Sequence, residues 1–213
     1  MSYHSKNVRN VEFAIDEYYH IYNRGVRKHS IFEDSYDRCR FLFLLFHAQA
    51  SIPLLNVGRH TKEFERRGYL NTRESSIHKI TKNRVVELTT FILMDNHFHL
   101  IVKEVKEGGI SKYMQKILNG YTKYSNAKYK ESGHLFQGSF KAVHIATNEQ
   151  LLHVSAYIHR NIRDDTKWKD KEHNYPWSSF KDYTSDNRWG DLIKREIILG
   201  QFKNPQEYFE FTV

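Results

Sequence analysis

Apolar residues recur along this chain with two different periods, separated by charged stretches. Tyr18-Tyr19-His20-Ile21-Tyr22 is aromatic and β-branched and runs out at Gly25, the pattern of a first strand with a turn after it. Ser35 can cap a helix, and Phe41, Leu42, Leu45 and Phe46 then form an apolar stripe, which predicts a helix to about residue 50. Residues 53–83 are mixed, charged and poorly periodic, and read as an irregular or partly helical insertion. Val85 to Met94 is a strong strand, Asp95-Asn96 a turn pair, and His97 to Val105 the returning partner of a hairpin. After Gly108-Gly109, Tyr113, Ile117, Tyr121 and Tyr124 lie three and four apart, so Ile110 to Tyr129 reads as a helix. Its other side carries Lys112, Lys116, Lys123, Lys128 and Lys130, a face that is ordinarily just solvated but beside tyrosines can also line a nucleic-acid groove. Phe140 to Ala146 predicts a fourth strand, and Thr147 or Asn148 caps a helix from Glu149 to about Arg163. The order β-α-β-β-α-β-α predicts an α+β fold, an antiparallel sheet of about four to five strands carrying helices on one face.

Composition narrows the class. At 213 residues, with 39% hydrophobic and 15% aromatic residues, the chain is long enough for one domain with a real core. Lysine and arginine number 33 against 25 acidic residues, a net charge of +8, which favours a polyanionic partner, nucleic acid before an acidic membrane surface. A single cysteine, Cys39, excludes a disulfide framework and a thiolate zinc cluster, and fits a reducing cytoplasm. Met1 to Lys6 lacks the apolar core of a signal peptide, and no run approaches a membrane span, so no membrane partner is expected.

The candidate chemistry sits at the start of the returning strand. His97 and His99 flank Phe98, so the two imidazoles share one face of the strand and offer a two-point metal grip. Far along the chain, Tyr157 and Asn161 are four apart on the last helix and project from the same face. An asparagine carbonyl can add a third metal contact, and a tyrosine one turn away can attack a phosphorus whose oxygens the metal holds. On spacing alone the plainer reading, a tyrosine packed on the sheet beside a solvent-facing asparagine, is favoured. Tyr121 is a rival nucleophile, with Asn126 five residues on and rotated off its face. Arg24, Arg27, Lys28, Lys123 and Lys141 are phosphate contacts on charge alone.

Five stretches in order change that balance: Tyr18 to Gly25, Leu93 to Leu100, Ser132 to Gly138, Tyr157 to Asn161, and Trp177 to Phe180. Together they resemble the single-tyrosine HUH transposases, most closely the REP-associated tyrosine transposases. The resemblance covers about residues 15–183, which divides the chain into a domain over 1–183 and a C-terminal extension over 184–213. It implies the HUH-endonuclease fold with ferredoxin-like topology. It implies His97, His99 and Asn161 as metal contacts, Tyr157 as the nucleophile forming a 5′-phosphotyrosine, and Mg²⁺ or Mn²⁺ as cofactor. The implied substrate is a hairpin in single-stranded DNA, in a cytoplasmic, nucleoid-associated protein that is a monomer or a homodimer. Asp95 stands where the family usually has proline, Ser139 where it often has arginine, and Ile162 where proline often follows the asparagine. The last change should let the helix run beyond Asn161. Two rivals stand beside it: a hairpin-binding regulator of the same fold that does not cut, and a hydrolytic metallonuclease with water as attacker.

Overall fold

The computed structural model describes residues 11–53, 55–67 and 74–213. Met1 to Lys6, on which the expectation about a leader falls, lie outside the described residues, as do 54 and 68–73 within the expected insertion. The elements run β1 (Tyr18–Arg24), α1 (Ser35–His47), α2 (Val57–Arg67), α3 (Glu74–Lys82), β2 (Val86–Leu93), β3 (His97–Glu104), α4 (Gly109–Tyr129), β4 (Lys141–Ile145), α5 (Asn148–Arg160), α6 (Phe180–Thr184), α7 (Glu196–Leu199) and α8 (Pro205–Thr212). The four strands form one antiparallel sheet in the order β2-β3-β1-β4, the ferredoxin-like arrangement in which the outer strands of each half interleave.

The sheet carries helices on both faces, not on one. Phe98 packs on Phe41 of α1, with ring centroids 5.1 Å apart, while its neighbour His99 meets Tyr157 of α5 at 5.8 Å on the opposite face. The reason is legible in β2 and β3, where nearly every position is buried whichever way it points. A strand solvated on one side would alternate; this pair does not.

Three local expectations shift. Asp34 rather than Ser35 caps α1, its carboxylate accepting from the Asp37 amide at 2.8 Å. The insertion is helical over most of its described residues, as α2 and α3. The last helix does not continue past Asn161: α5 stops at Arg160 with Asn161 as its C-cap. Ile162 turns into the core, 3% exposed, and Arg163 swings to the Glu172 carboxylate at 2.7 Å. Burial of one apolar side chain ends the helix where no proline does.

The segment after Thr184 is built into the same core. Trp189, Leu192, Ile193, Ile198 and Tyr208 are all buried with the sheet residues. The Lys194 amide donates to the Leu88 carbonyl at 2.9 Å, so this segment runs against β2.

Candidate active site

Backbone and side-chain hydrogen bonds gather the five sequence stretches around one cleft. The Gly25 amide donates to the Asn96 carbonyl at 2.8 Å, and the Gln137 amide to the Arg24 carbonyl at 2.8 Å. Asn23, buried on the sheet's far face, gives its amide hydrogen to the Gly138 carbonyl at 3.1 Å. Gly25 is required by a close approach: a Cβ there would lie 2.3 Å from the His29 carbonyl oxygen. Gly138 sits at φ +122°, a conformation side-chain-bearing residues avoid. Below the cleft, Ser179 Oγ accepts from the Phe91 amide at 3.0 Å and meets His159 Nε2 at 2.8 Å, tying the last stretch and α5 to β2. Asp95, in the proline position, pairs its carboxylate with Arg38 and thereby ties the hairpin turn to α1.

Register sets what faces the cleft. In the β1–β3 ladder Arg24 lies opposite His97 and Tyr22 opposite His99, while across β4 Tyr22 lies opposite Lys141. Directly opposed residues share a face, so Arg24, Tyr22 and Lys141 accompany the histidines. From above, α5 lowers Tyr157 and Asn161. The resulting cleft, about 720 Å³, is lined by His97, His99, Tyr157, Asn161, Arg24 and Lys141 among others. All come from a single chain. Tyr157 is 49% exposed, and its ring stands edge-on to His99 at 5.8 Å and to His20 at 6.0 Å.

Of the remaining expected residues, Lys123 lines a neighbouring cleft of about 780 Å³ between α4 and the 134–140 segment, which shares Ser139 and Phe140 with the first. Arg27 and Lys28 sit in the exposed turn after β1, outside both clefts. The rival Tyr121 is fully buried, its hydroxyl donating to the Ile31 carbonyl at 2.6 Å, and cannot meet a substrate. Two site residues escaped the sequence reading. Asn96, read only as a turn residue, holds His97 Nδ1 with its Oδ1 at 2.7 Å. His20 lies 2.8 Å from His99, Nε2 to Nδ1; its alternation with Tyr22 was visible, but the register that brings it there was not.

Electrostatics favours neutral rings. Burial pushes the His99 pKa down to about 3, with the positive forms of His20 and His97 adding to the effect. Burial also lowers His20 to about 4, and lowers His97 despite the hydrogen bond to Asn161. Neutral imidazoles keep a lone pair for a metal. With Nδ1 of His97 donating to Asn96, the lone pair on Nε2 faces Asn161 Oδ1 at 3.0 Å. Two acceptors so placed call for a second proton on the ring, an amide turned over, or a cation between them. Burial opposes the first. Adjacent ligands of an octahedral ion bound at about 2.1 Å are about 3 Å apart, so the pair fits a small divalent ion. Among the described residues no group of three His, Cys, Asp or Glu side chains is placed to hold a metal ion.

The comparisons point to a class first. A family model described as "Transposase IS200 like" matches residues 54–161, a span that takes in both β3 and α5 and ends on Asn161; it marks a DNA-processing transposase. The chain belongs to the IS200-like transposase family. A solved structure described as "Structure of the REP associates tyrosine transposase bound to a REP hairpin" has the same fold, with a TM-score of 0.54 and 13% identity over 88% of this chain and 93% of that one. No curated protein matches the chain. Among the described residues no helix is long and apolar enough to cross a membrane.

Proposed function

We propose that this protein is a metal-dependent endonuclease and strand transferase for hairpin-bearing single-stranded DNA, acting through a 5′-phosphotyrosine. The observation that carries the reading is the meeting of Tyr157 with His97, His99 and Asn161 in one cleft of a chain from this family. A hairpin as partner is supported by the REP hairpin bound in the similar solved structure, and by the net charge of +8. Such a substrate would keep the protein with DNA in the cytoplasm.

His97, His99 and Asn161 would hold Mg²⁺ or Mn²⁺, which when bound polarises the scissile phosphate and offsets charge developing on it. Imidazole ligands lean toward Mn²⁺, abundance toward Mg²⁺. The Tyr157 oxygen forms the new bond to phosphorus while the bond from phosphorus to the 3′-oxygen breaks. The 5′-phosphate stays on the protein, and the proton given up by the phenol is balanced by the one gained by the departing 3′-hydroxyl. Because one phosphoester replaces another, a second 3′-hydroxyl can reverse the step and join strands without ATP. An attacking phenol needs a proton acceptor, and Tyr157 is open enough for water in the cleft to serve. Arg24 and Lys141 supply charge for phosphates beside the reacting one, with Arg27, Lys28 and Lys123 further along the strand's path.

The test uses labelled single-stranded hairpin oligonucleotides with Mg²⁺ or Mn²⁺ on denaturing gels. A covalent protein–DNA adduct is expected, absent in Tyr157→Phe, which still shifts the hairpin on a native gel. An adduct that survives the change overturns the nucleophile. Free 5′-phosphate with no adduct would indicate water as attacker, and binding without any cut product a regulator.

A further inference from the structure

His20 has no part in the mechanism above, yet it is the nearest hydrogen-bonding group to one of the two histidines. It stands on β1 opposite Ile101, two residues before Tyr22, and so on the cleft face diagonal to His99. Its Nε2 lies 2.8 Å from His99 Nδ1, with the ring planes 25° apart. A neutral imidazole has one N–H and one lone pair. A single hydrogen therefore lies between these two nitrogens, and its owner decides what His99 offers the cleft. If His20 donates, the lone pair of His99 is used inside the sheet face, and the other nitrogen presents a hydrogen that no metal can displace without a tautomer change. If His99 donates, its Nε2 carries a free lone pair outward.

We propose that His20 is a positioning residue: it accepts the Nδ1 hydrogen of His99 and so holds that ring in the tautomer whose Nε2 can ligate a divalent ion. This rests on the metal-site reading of His97, His99 and Asn161. His20 is not a third ligand, because its Nε2 is already committed to His99, and among the described residues no cluster of three such metal-binding side chains forms. The same ring also meets the edge of Tyr157 at 6.0 Å, so one side chain braces both the ligand and the expected nucleophile.

Two measurements on the full chain test it. In long-range proton–nitrogen NMR of the metal-free protein, His99 should show the Nδ1–H tautomer; finding Nε2–H overturns the proposal without any variant. In calorimetric titration with Mn²⁺ alone, His20→Phe, which keeps a stacked ring but no acceptor, should bind about 10–100-fold more weakly than wild type. His20→Gln, whose amide oxygen can accept the same hydrogen, should recover most of that loss. Wild-type affinity in His20→Phe, or equal losses in both variants, overturns the role. His97→Ala serves as the reference. If wild type binds no Mn²⁺, or His97→Ala binds like wild type, the metal site itself fails and this inference with it; if only His20→Phe is silent, the metal site stands and this inference alone falls.

Discussion

The two faces of α5 use the same kinds of residue for opposite purposes. On the cleft side, Tyr157 is half exposed and Asn161 Oδ1 meets His97 Nε2 at 3.0 Å. On the core side, His159 is fully buried with every need met: its Nδ1 lies 2.7 Å from the Tyr208 hydroxyl and its Nε2 2.8 Å from Ser179 Oγ. A neutral ring that takes one hydrogen and gives one is satisfied, so His159 has nothing left to offer a ligand. The cleft histidines are likewise neutral, but part of their bonding is left facing the cleft. The proposed chemistry belongs to the open face of this helix, and the paired, buried face is what holds it in place.

The comparison can be broken most sharply at Tyr157. Tyr157→Phe should lower adduct formation by about 1000-fold or more while the melting temperature stays within a degree or two, since a half-exposed hydroxyl on the cleft holds nothing in the core. The core face should answer to pH instead. Burial takes the His159 pKa down to about 3, against about 6.5 in an unfolded chain, so the unfolded state binds the extra proton. Stability from this group is present in full above about pH 6.5 and falls by about 1.4 kcal/mol per unit as pH drops toward about 3. Thermal melts of wild type and His159→Gln should therefore converge as the solution is acidified; parallel curves would show that His159 titrates freely in the fold.

A smaller effect is expected at the partner of that ring. Tyr208→Phe leaves His159 Nδ1 and Ser155 Oγ without the hydroxyl they share, at 2.7 and 3.1 Å, and should cost about 1–3 kcal/mol in denaturant unfolding. Adduct formation by the protein that remains folded should be little altered; a loss exceeding the unfolded fraction would mean that the C-terminal segment tunes Tyr157 directly. The mildest changes belong to the rim. Arg24→Ala and Lys141→Ala should each weaken hairpin binding about 3–10-fold and reduce the slope of log affinity against log salt by about one, seen in fluorescence anisotropy across a salt series. Arg27→Ala and Lys28→Ala, outside the cleft, should do less.

Local pattern made much of this molecule readable. The hairpin that carries His97 and His99, the long helix of Tyr113, Ile117 and Tyr121, and the Thr147 cap before α5 follow from alternation, helical spacing and a hydroxyl able to accept from Gln150. Such signals are short-range, set by residues a few positions apart. The second covered face of the sheet shows at the end of β2, where Phe91, Ile92 and Leu93 are consecutive apolar residues and leave no solvated side, although the order of elements alone suggests helices on one face. The end of α5 was misread because Ile162, unremarkable as a helix former, is drawn off the helix by a core that exists only in three dimensions.

By itself, then, the amino-acid order determined the four strands and the helices α1, α4 and α5, which side of each is apolar, and that two histidines share a strand face while a tyrosine and an asparagine share a helix face. Tertiary structure alone decided that those two faces meet, that Arg24 stands across from His97, and that His20 reaches His99 from a strand 79 positions away in sequence. The physical reason is register. Which residues oppose one another across β1, β3 and β4 depends on the joint burial of side chains from every strand and covering helix, a sum that no local window of the chain contains.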